Sequence, residues 1–300
     1  MLKNYLSLIK FSHTIFAMPF GIIGFFLGYM QVSGYKQEAV SQPGISLTTE
    51  QLVIKFILVI LCMVFARSAA MAFNRYLDRH FDARNPRTAI REIPAGIISA
   101  NSALLFTIIN SVLFVITCIF INKICFYLSP VALAVVLGYS YTKRFTPLCH
   151  LVLGLGLSLA PIGAFLAVTG KFEWLPLLFS FAVITWVSGF DIIYSLQDEE
   201  FDRSQDLYSI PAALGKVRAL RVSEGLHLGS ILFVLAGGLY GSFSWLYWVG
   251  FAIFTGMLIY QHSIVKPNDL RRVNIAFMTS NGIASVLFAV FLIADLLLLS

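Results

Sequence analysis

Asn74, Asp78 and Asp82 stand four residues apart in the stretch FNRYLDRHFDARNPRT (73–88), and Asp191, Ser195, Asp198 and Asp202 follow one another at steps of four, three and four. On a helix such spacing stacks side chains along one face, so each stretch presents a row of oxygen atoms. Like charges at this spacing repel, and an Asp near a bilayer interior costs about 2.5–3.5 kcal/mol on insertion scales, so a cation must sit among them. Carboxylates and an amide oxygen without His or Cys suit a hard divalent ion, and Mg²⁺ takes one or two carboxylates together with substrate phosphates. Two facing rows therefore read as a site for a diphosphate held through Mg²⁺.

Basic residues lie close by. Arg79, Arg84, Arg87 and Arg91 follow the first row, Arg203 follows the second, and Lys143 and Arg144 end an apolar run. Their charges can neutralise phosphate oxygens as a leaving group departs, although the ordinary bias of cytoplasmic loops also places Lys and Arg here. Arg67 differs, because it sits within an apolar run seven residues before Asn74, on roughly the same face. A charge at such depth points to function: Arg67 is expected to face a cavity and hold a substrate carboxylate or diphosphate, the alternative being an ion pair with Asp191.

The elements that must carry these rows are membrane helices. The 300-residue chain is 58% hydrophobic and only 12% charged, with a mean hydropathy of +0.84, which excludes a water-soluble surface. Nine stretches, approximately 12–33, 51–74, 101–121, 124–142, 149–169, 174–196, 219–240, 243–262 and 275–298, are each long and apolar enough to cross a core of roughly 30 Å as a helix. With the N-terminus inside and the C-terminus outside, 16 of the 21 Lys and Arg fall on inner segments, and only Lys36, Lys55, Lys123 and Lys171 fall outside. The first stretch shows no convincing cleavage site and reads as a retained helix. The two acidic rows follow the second and sixth stretches, which hints at two similar four-helix halves with a ninth helix appended.

Although the net charge is +6, the basic residues are dispersed over separate inner segments, which fits a membrane surface or an anionic substrate better than nucleic acid. Cys62, Cys118, Cys125 and Cys149 have neither CxxC nor metal-type spacing and imply no disulfide framework. The polar connection at 34–50 reads as a surface loop.

These residues resemble the UbiA superfamily of intramembrane prenyltransferases. N74xxxD78xxxD82 and D191xxY194xxxD198xxxD202 are similar to its two signature motifs; Arg67, Arg91–Pro94–Gly96, a YxxxKR block ending at Lys143–Arg144, and SIPxxxG from Ser209 to Gly215 match in order. The resemblance covers residues 10 to about 220. It implies one all-α domain over 1–300, a bundle of about nine transmembrane helices around a central cavity capped by cytoplasmic loops. It also implies Mg²⁺-dependent transfer of a polyprenyl group from an allylic diphosphate to an aromatic acceptor, in the inner (cytoplasmic) membrane with the active site toward the cytoplasm. Asn74, Asp78, Asp82, Asp198 and Asp202 then match the metal ligands, and Arg79, Arg91, Lys143, Arg144 and Arg203 fall where diphosphate is bound. Asp191 and Arg67 fall where the acceptor reacts, with Asp191 polarising or deprotonating it. Aromatic rings, of which the chain has 27 Phe, can shelter the allylic cation, though most must be packing or lipid-facing.

The chain departs from that pattern twice. Arg75 stands where many members have Asp, and Arg91–Gly96 reads REIPAG where many ubiquinone-pathway members read RPLPxG. Together with KFSHTIFAMPFG at 10–21, which includes His13, this is similar to a 4-hydroxybenzoate polyprenyltransferase-like branch, some members of which serve a futalosine-type menaquinone route. The expected acceptor is 4-hydroxybenzoate or a related quinone precursor, with a naphthoate, homogentisate or a porphyrin as alternatives. A cation transporter would instead place carboxylates near the midplane in broken helices. The pattern of CDP-alcohol phosphotransferases, which begins with Asp-Gly and carries Ala-Arg before a Gly-containing spacer, is not matched by 73–88, where no Gly occurs. Oligomeric state and isoprenoid length have no signature in the sequence.

Overall fold

The computed structural model describes residues 2–9, 16–33 and 47–299. His13, Lys36 and most of the 34–50 connection lie outside them. The described residues form thirteen α-helices and no sheet. These are α1 (Leu2–Leu8), α2 (Ala17–Val32), α3 (Thr49–Leu77), α4 (Arg79–Arg84), α5 (Ala100–Ile121), α6 (Lys123–Thr142), α7 (Cys149–Thr169), α8 (Trp174–Ser195), α9 (Glu199–Ser204), α10 (Ile210–Leu214), α11 (Lys216–Tyr240), α12 (Trp245–Ile264) and α13 (Asn281–Leu298). A π-helical turn, Ile275–Ser280, leads into α13.

Among the described residues seven helices are long and apolar enough to cross a membrane: α3, α5, α6, α7, α8 with its continuation to Ser204, α11, and α13 with its π-turn. The protein is a multi-pass membrane protein. Of the other two expected spans, α2 is apolar but has 16 residues, and α12 is not among the seven.

Side-chain caps define the ends. Thr48 and Gln51 close a capping box at the start of α3, Ser99 caps α5, and Asn122 caps α6. Lys55, which the sequence placed among the outer basic residues, lies inside α3. Its Nζ donates to the carbonyls of Ile121 (3.1 Å) and Ala167 (2.6 Å), in the last turns of α5 and α7, where helical carbonyls lack intrahelical partners. At 1.5 Å per residue, Lys55 and Asp78 are about 35 Å apart along α3, so they bracket a hydrocarbon core of about 30 Å.

The core surrounds α8, which packs between α7 and α11. Trp186, Phe20, Phe179, Phe254 and Phe288 are fully buried there. Trp186 Nε1 donates to Asn281 Oδ1 at 2.8 Å, as a polar group in a dry bundle requires. Helices α2 and α7 approach so closely that a Cβ at Gly24 would stand 2.0 Å from the Pro161 carbonyl oxygen. Cys62 and Cys118 meet Sγ to Sγ at 3.7 Å, between α3 and α5, as free thiols.

Candidate active site

The first row runs from the end of α3 into α4. Backbone bonds Asp78 N→Asn74 O (2.9 Å) and Asp82 N→Asp78 O (2.8 Å) keep the helical register, while Asp78 itself leaves helical geometry at φ −89°, ψ 7°. The expected continuous row is thus carried by two helices with a bend at its middle residue. Asn74 Nδ2 donates to Asp78 Oδ2 at 3.1 Å. Arg144 Nη2 lies 3.2 Å from Asp78 Oδ1, and Arg91 Nη1 lies 2.6 Å from Asp82 Oδ1. Arg75, the departure from the family pattern, is buried with Nη1 3.9 Å from Asp82 Oδ2.

The second row descends α8, a 3₁₀ turn at Leu196–Asp198, and α9. Arg87 pairs with Asp198 through two nitrogens, Nε–Oδ1 at 3.0 Å and Nη2–Oδ2, while Asn85 Nδ2 adds a bond to Oδ1 at 3.1 Å. Asp202 is wholly buried between Lys143 Nζ (2.7 Å to Oδ1) and Ser209 Oγ (2.9 Å to Oδ2). Ser195 does not join this row, because its hydroxyl turns back to the Ile192 carbonyl at 2.9 Å.

Lys143 and Arg144, adjacent at the end of α6, divide between the rows: Lys143 holds Asp202 and Arg144 holds Asp78. Burial opposes the Lys143 charge, but Asp202 outweighs it and holds the ammonium pKa above its usual value. Arg87 likewise gains more from Asp198 than burial costs it. Asp78 is pushed up to about 6, by burial first and by Asp82 second, against the pull of Arg144 and Lys143.

Asp191 Oδ2 lies 2.6 Å from Nδ1 of His150, a buried residue at the start of α7. Arg67 lines a cavity of about 400 Å³ whose walls are otherwise almost wholly apolar and include Tyr139, Met71, Leu157, Ala132, Ile121 and Phe172. Two other expected diphosphate ligands bond to the backbone close by. Arg79 donates to the Tyr76 carbonyl at 2.7 Å, stacks over the Tyr76 ring and borders an open surface pocket with His80, Arg84 and Arg144, the partner of Asp78. Arg203 is exposed, pairs with Glu199 at 3.0 Å and donates to the Ala212 carbonyl at 2.8 Å.

Among the described residues no three His, Cys, Asp or Glu side chains converge as a preformed metal cage. The donor set nevertheless suits Mg²⁺ that arrives with phosphates: the oxygens are hard, and Asp82 Oδ2 is buried yet accepts no hydrogen bond. Sequence reading passed over Asn85, Arg87 as an Asp198 partner, and His150. A histidine entering an apolar span was a usable signal for the last; the other two depend on contacts more than 100 residues apart in sequence.

The fold and the paired carboxylates define a helical membrane enzyme whose polar chemistry sits at one end of an apolar cavity. The profile of the UbiA prenyltransferase family matches residues 40–291, and the chain belongs to that family. A 4-hydroxybenzoate octaprenyltransferase of Nitrosospira multiformis is 28% identical over 230 residues, covering 77% of this chain and 79% of the relative; one of Tolumonas auensis is 28% identical over 228 residues, 76% of this chain and 79% of the relative. Among solved structures, a UbiA homologue from Aeropyrum pernix K1 superposes with a TM-score of 0.75 at 28% identity, covering 94% of this chain and 96% of that one. A UbiA homologue from Archaeoglobus fulgidus bound to DMAPP and Mg²⁺ shares the fold, with a TM-score of 0.73 at 21% identity over 99% of this chain and all of that one. The chain is a prenyltransferase.

Proposed function

We propose that the protein transfers a polyprenyl group from an allylic diphosphate to 4-hydroxybenzoate or a closely related aromatic precursor of a respiratory quinone, in the cytoplasmic membrane with the site toward the cytoplasm. One observation carries the reading: carboxylates of two rows, Asp78 and Asp202, 124 residues apart in sequence, are bridged by the neighbours Lys143 and Arg144 at the polar end of the bundle. The names of the curated relatives support the acceptor, and the DMAPP- and Mg²⁺-bound fold relative supports the donor.

In this reading Asn74, Asp78 and Asp82 from one side and Asp198 and Asp202 from the other hold Mg²⁺. When bound, Mg²⁺ absorbs charge that builds on the departing diphosphate. Arg91, Lys143 and Arg144 then have two alternative anions within reach, the carboxylates they touch now and the diphosphate oxygens. Arg87, held at Asp198, joins this set. Arg79 and Arg203 serve the loop structure around the site and reach the diphosphate only if their present bonds are exchanged. The apolar cavity receives the isoprenoid and excludes water, which would otherwise capture the allylic cation. Arg67 orients the acceptor carboxylate, and Asp191 polarises the phenol so that the ring carbon bonds to the allylic carbon, whose C–O bond to diphosphate breaks, and the ring proton passes to the released diphosphate.

Purified protein in lipid with Mg²⁺, a labelled long-chain allylic diphosphate and a panel of 4-hydroxybenzoate, 1,4-dihydroxy-2-naphthoate, 1,4-dihydroxy-6-naphthoate and homogentisate tests this, with products resolved by mass spectrometry. Prenyl-4-hydroxybenzoate is the expected product; a prenylated naphthoate or homogentisate alone would replace the proposed acceptor.

A further inference from the structure

We infer that the segment Tyr208–Ile210 couples the diphosphate side of the site to the acceptor side, with His150 as the residue that positions Asp191. This deepens the proposed function and rests on its reading of Asp202 as diphosphate-side and Asp191 as acceptor-side.

An unbroken line of contacts joins the two carboxylates. Ser209 Oγ donates to Asp202 Oδ2 at 2.9 Å. The next residue, Ile210, directs its backbone N–H at His150 Nε2 (3.3 Å), and His150 Nδ1 lies 2.6 Å from Asp191 Oδ2. An amide N–H can only donate, so Nε2 is the acceptor and the ring carries its proton on Nδ1, aimed at Asp191. The first amide of α10 therefore selects the tautomer that anchors the acceptor-side carboxylate. His150 is 2% exposed, and its carbonyl accepts from Ser188 Oγ at 3.1 Å, so the ring cannot turn without losing partners at both nitrogens.

The same segment is clamped from its other side. Tyr208 N donates to the Lys143 carbonyl at 2.7 Å, Cys149 Sγ contacts the Tyr208 carbonyl at 3.5 Å, and Lys143 Nζ reaches Asp202. Ser209 has a double duty, since its hydroxyl also accepts from Ala212 N and caps α10. A shift of Asp202 or Lys143 on diphosphate binding is thus passed to Ser209 and, one residue later, to the N–H that holds His150. Two sites that share one element bias each other equally: the diphosphate tightens acceptor binding, and the acceptor tightens diphosphate binding by the same factor. Coupling of this kind keeps an allylic cation from forming before the ring that captures it is in place.

The sequence offers a clean way to cut the line. Ile210 occupies the first turn position of α10, where proline is tolerated, and Ser209 at φ −142°, ψ 160° already has the extended conformation favoured before proline. Ile210→Pro removes the N–H, and Ile210→Ala removes the side chain but keeps it. His150→Asn keeps a donor at the Nδ1 position toward Asp191, but its Oδ1 falls short of the Nε2 position that Ile210 N reaches, while His150→Ala keeps neither. The full chain in lipid nanodiscs is titrated with labelled 4-hydroxybenzoate, with and without Mg²⁺ and an unreactive thiolo analogue of a prenyl diphosphate, and acceptor KM and kcat are measured separately. Wild type and Ile210→Ala are expected to bind the acceptor about fivefold or more tightly when the analogue is present. Ile210→Pro and His150→Asn lose that gain through a raised acceptor KM while still binding the analogue, and His150→Ala loses kcat as well. Full coupling in Ile210→Pro or in His150→Asn would overturn the inference, as would wild type that binds both ligands independently. Wild type that fails to bind the analogue at all would overturn the proposed function itself, a result distinct from the other two.

Discussion

The two acidic rows are both built on Asp at helical spacing but finished differently. In the second, Asp202 is fully buried with both oxygens engaged, and Asp198 meets Arg87 and Asn85 together. In the first, Asp82 is buried against Arg91 and Arg75, but Asp78 keeps 26% of its side chain exposed. The second row is closed around its cations, whereas the first keeps one carboxylate, Asp78, partly open. The difference teaches that matching motifs need not be finished alike: the second row is the more tightly framed half of the proposed site, and the first holds its most accessible carboxylate.

The contrast breaks most severely if the closed row loses its cation. Lys143→Met leaves Asp202 buried without its cation, and breaking a buried pair costs about 3–5 kcal/mol. Thermal unfolding in detergent should fall sharply and turnover with it, whereas a melting temperature near wild type would show that Asp202 does not depend on Lys143. Asp78→Asn attacks the first row at its partly exposed carboxylate, where stability should fall less than in Lys143→Met but turnover should fall about 10²-fold or more, as for loss of one group stabilising developing charge. Equal stability losses in these two variants would erase the distinction between the rows. Ser209→Ala is milder: it removes a cap together with one Asp202 bond, so about 1 kcal/mol of stability and several-fold in turnover should go. Thr48→Ala opens the capping box at the far end of α3 and should cost about 0.5–1 kcal/mol with turnover unchanged, a control for helix stability alone.

Periodicity showed which residues share a face, so Asn74, Asp78, Asp82, Asp198 and Asp202, the membrane helices and the helix-end pair Lys143–Arg144 were legible in the sequence. What each residue faces was not. Arg144 finds Asp78 across 66 positions and Arg87 finds Asp198 across 111, distances over which a one-dimensional pattern has no record of contact. The bend at Asp78 escaped because the helical hydrogen bonds pass through it unbroken. The partner that Arg203 meets, Glu199 one turn earlier on its own helix at 3.0 Å, is a contact of the kind that spacing alone can show. His150 escaped because one polar residue in an apolar span has no partner in sequence, although its burial against Asp191 makes it the most informative histidine of the site.

The central claim is that the rows form one site and bind diphosphate jointly through Mg²⁺. Equilibrium binding of a labelled polyprenyl diphosphate to the protein in nanodiscs, with Mg²⁺ and with chelator, compared among wild type, Asp78→Ala and Asp198→Ala, measures it directly. The account predicts Mg²⁺-dependent binding that falls at least tenfold in each single-row variant. Binding that ignores the chelator, or survives intact in either variant, would contradict it.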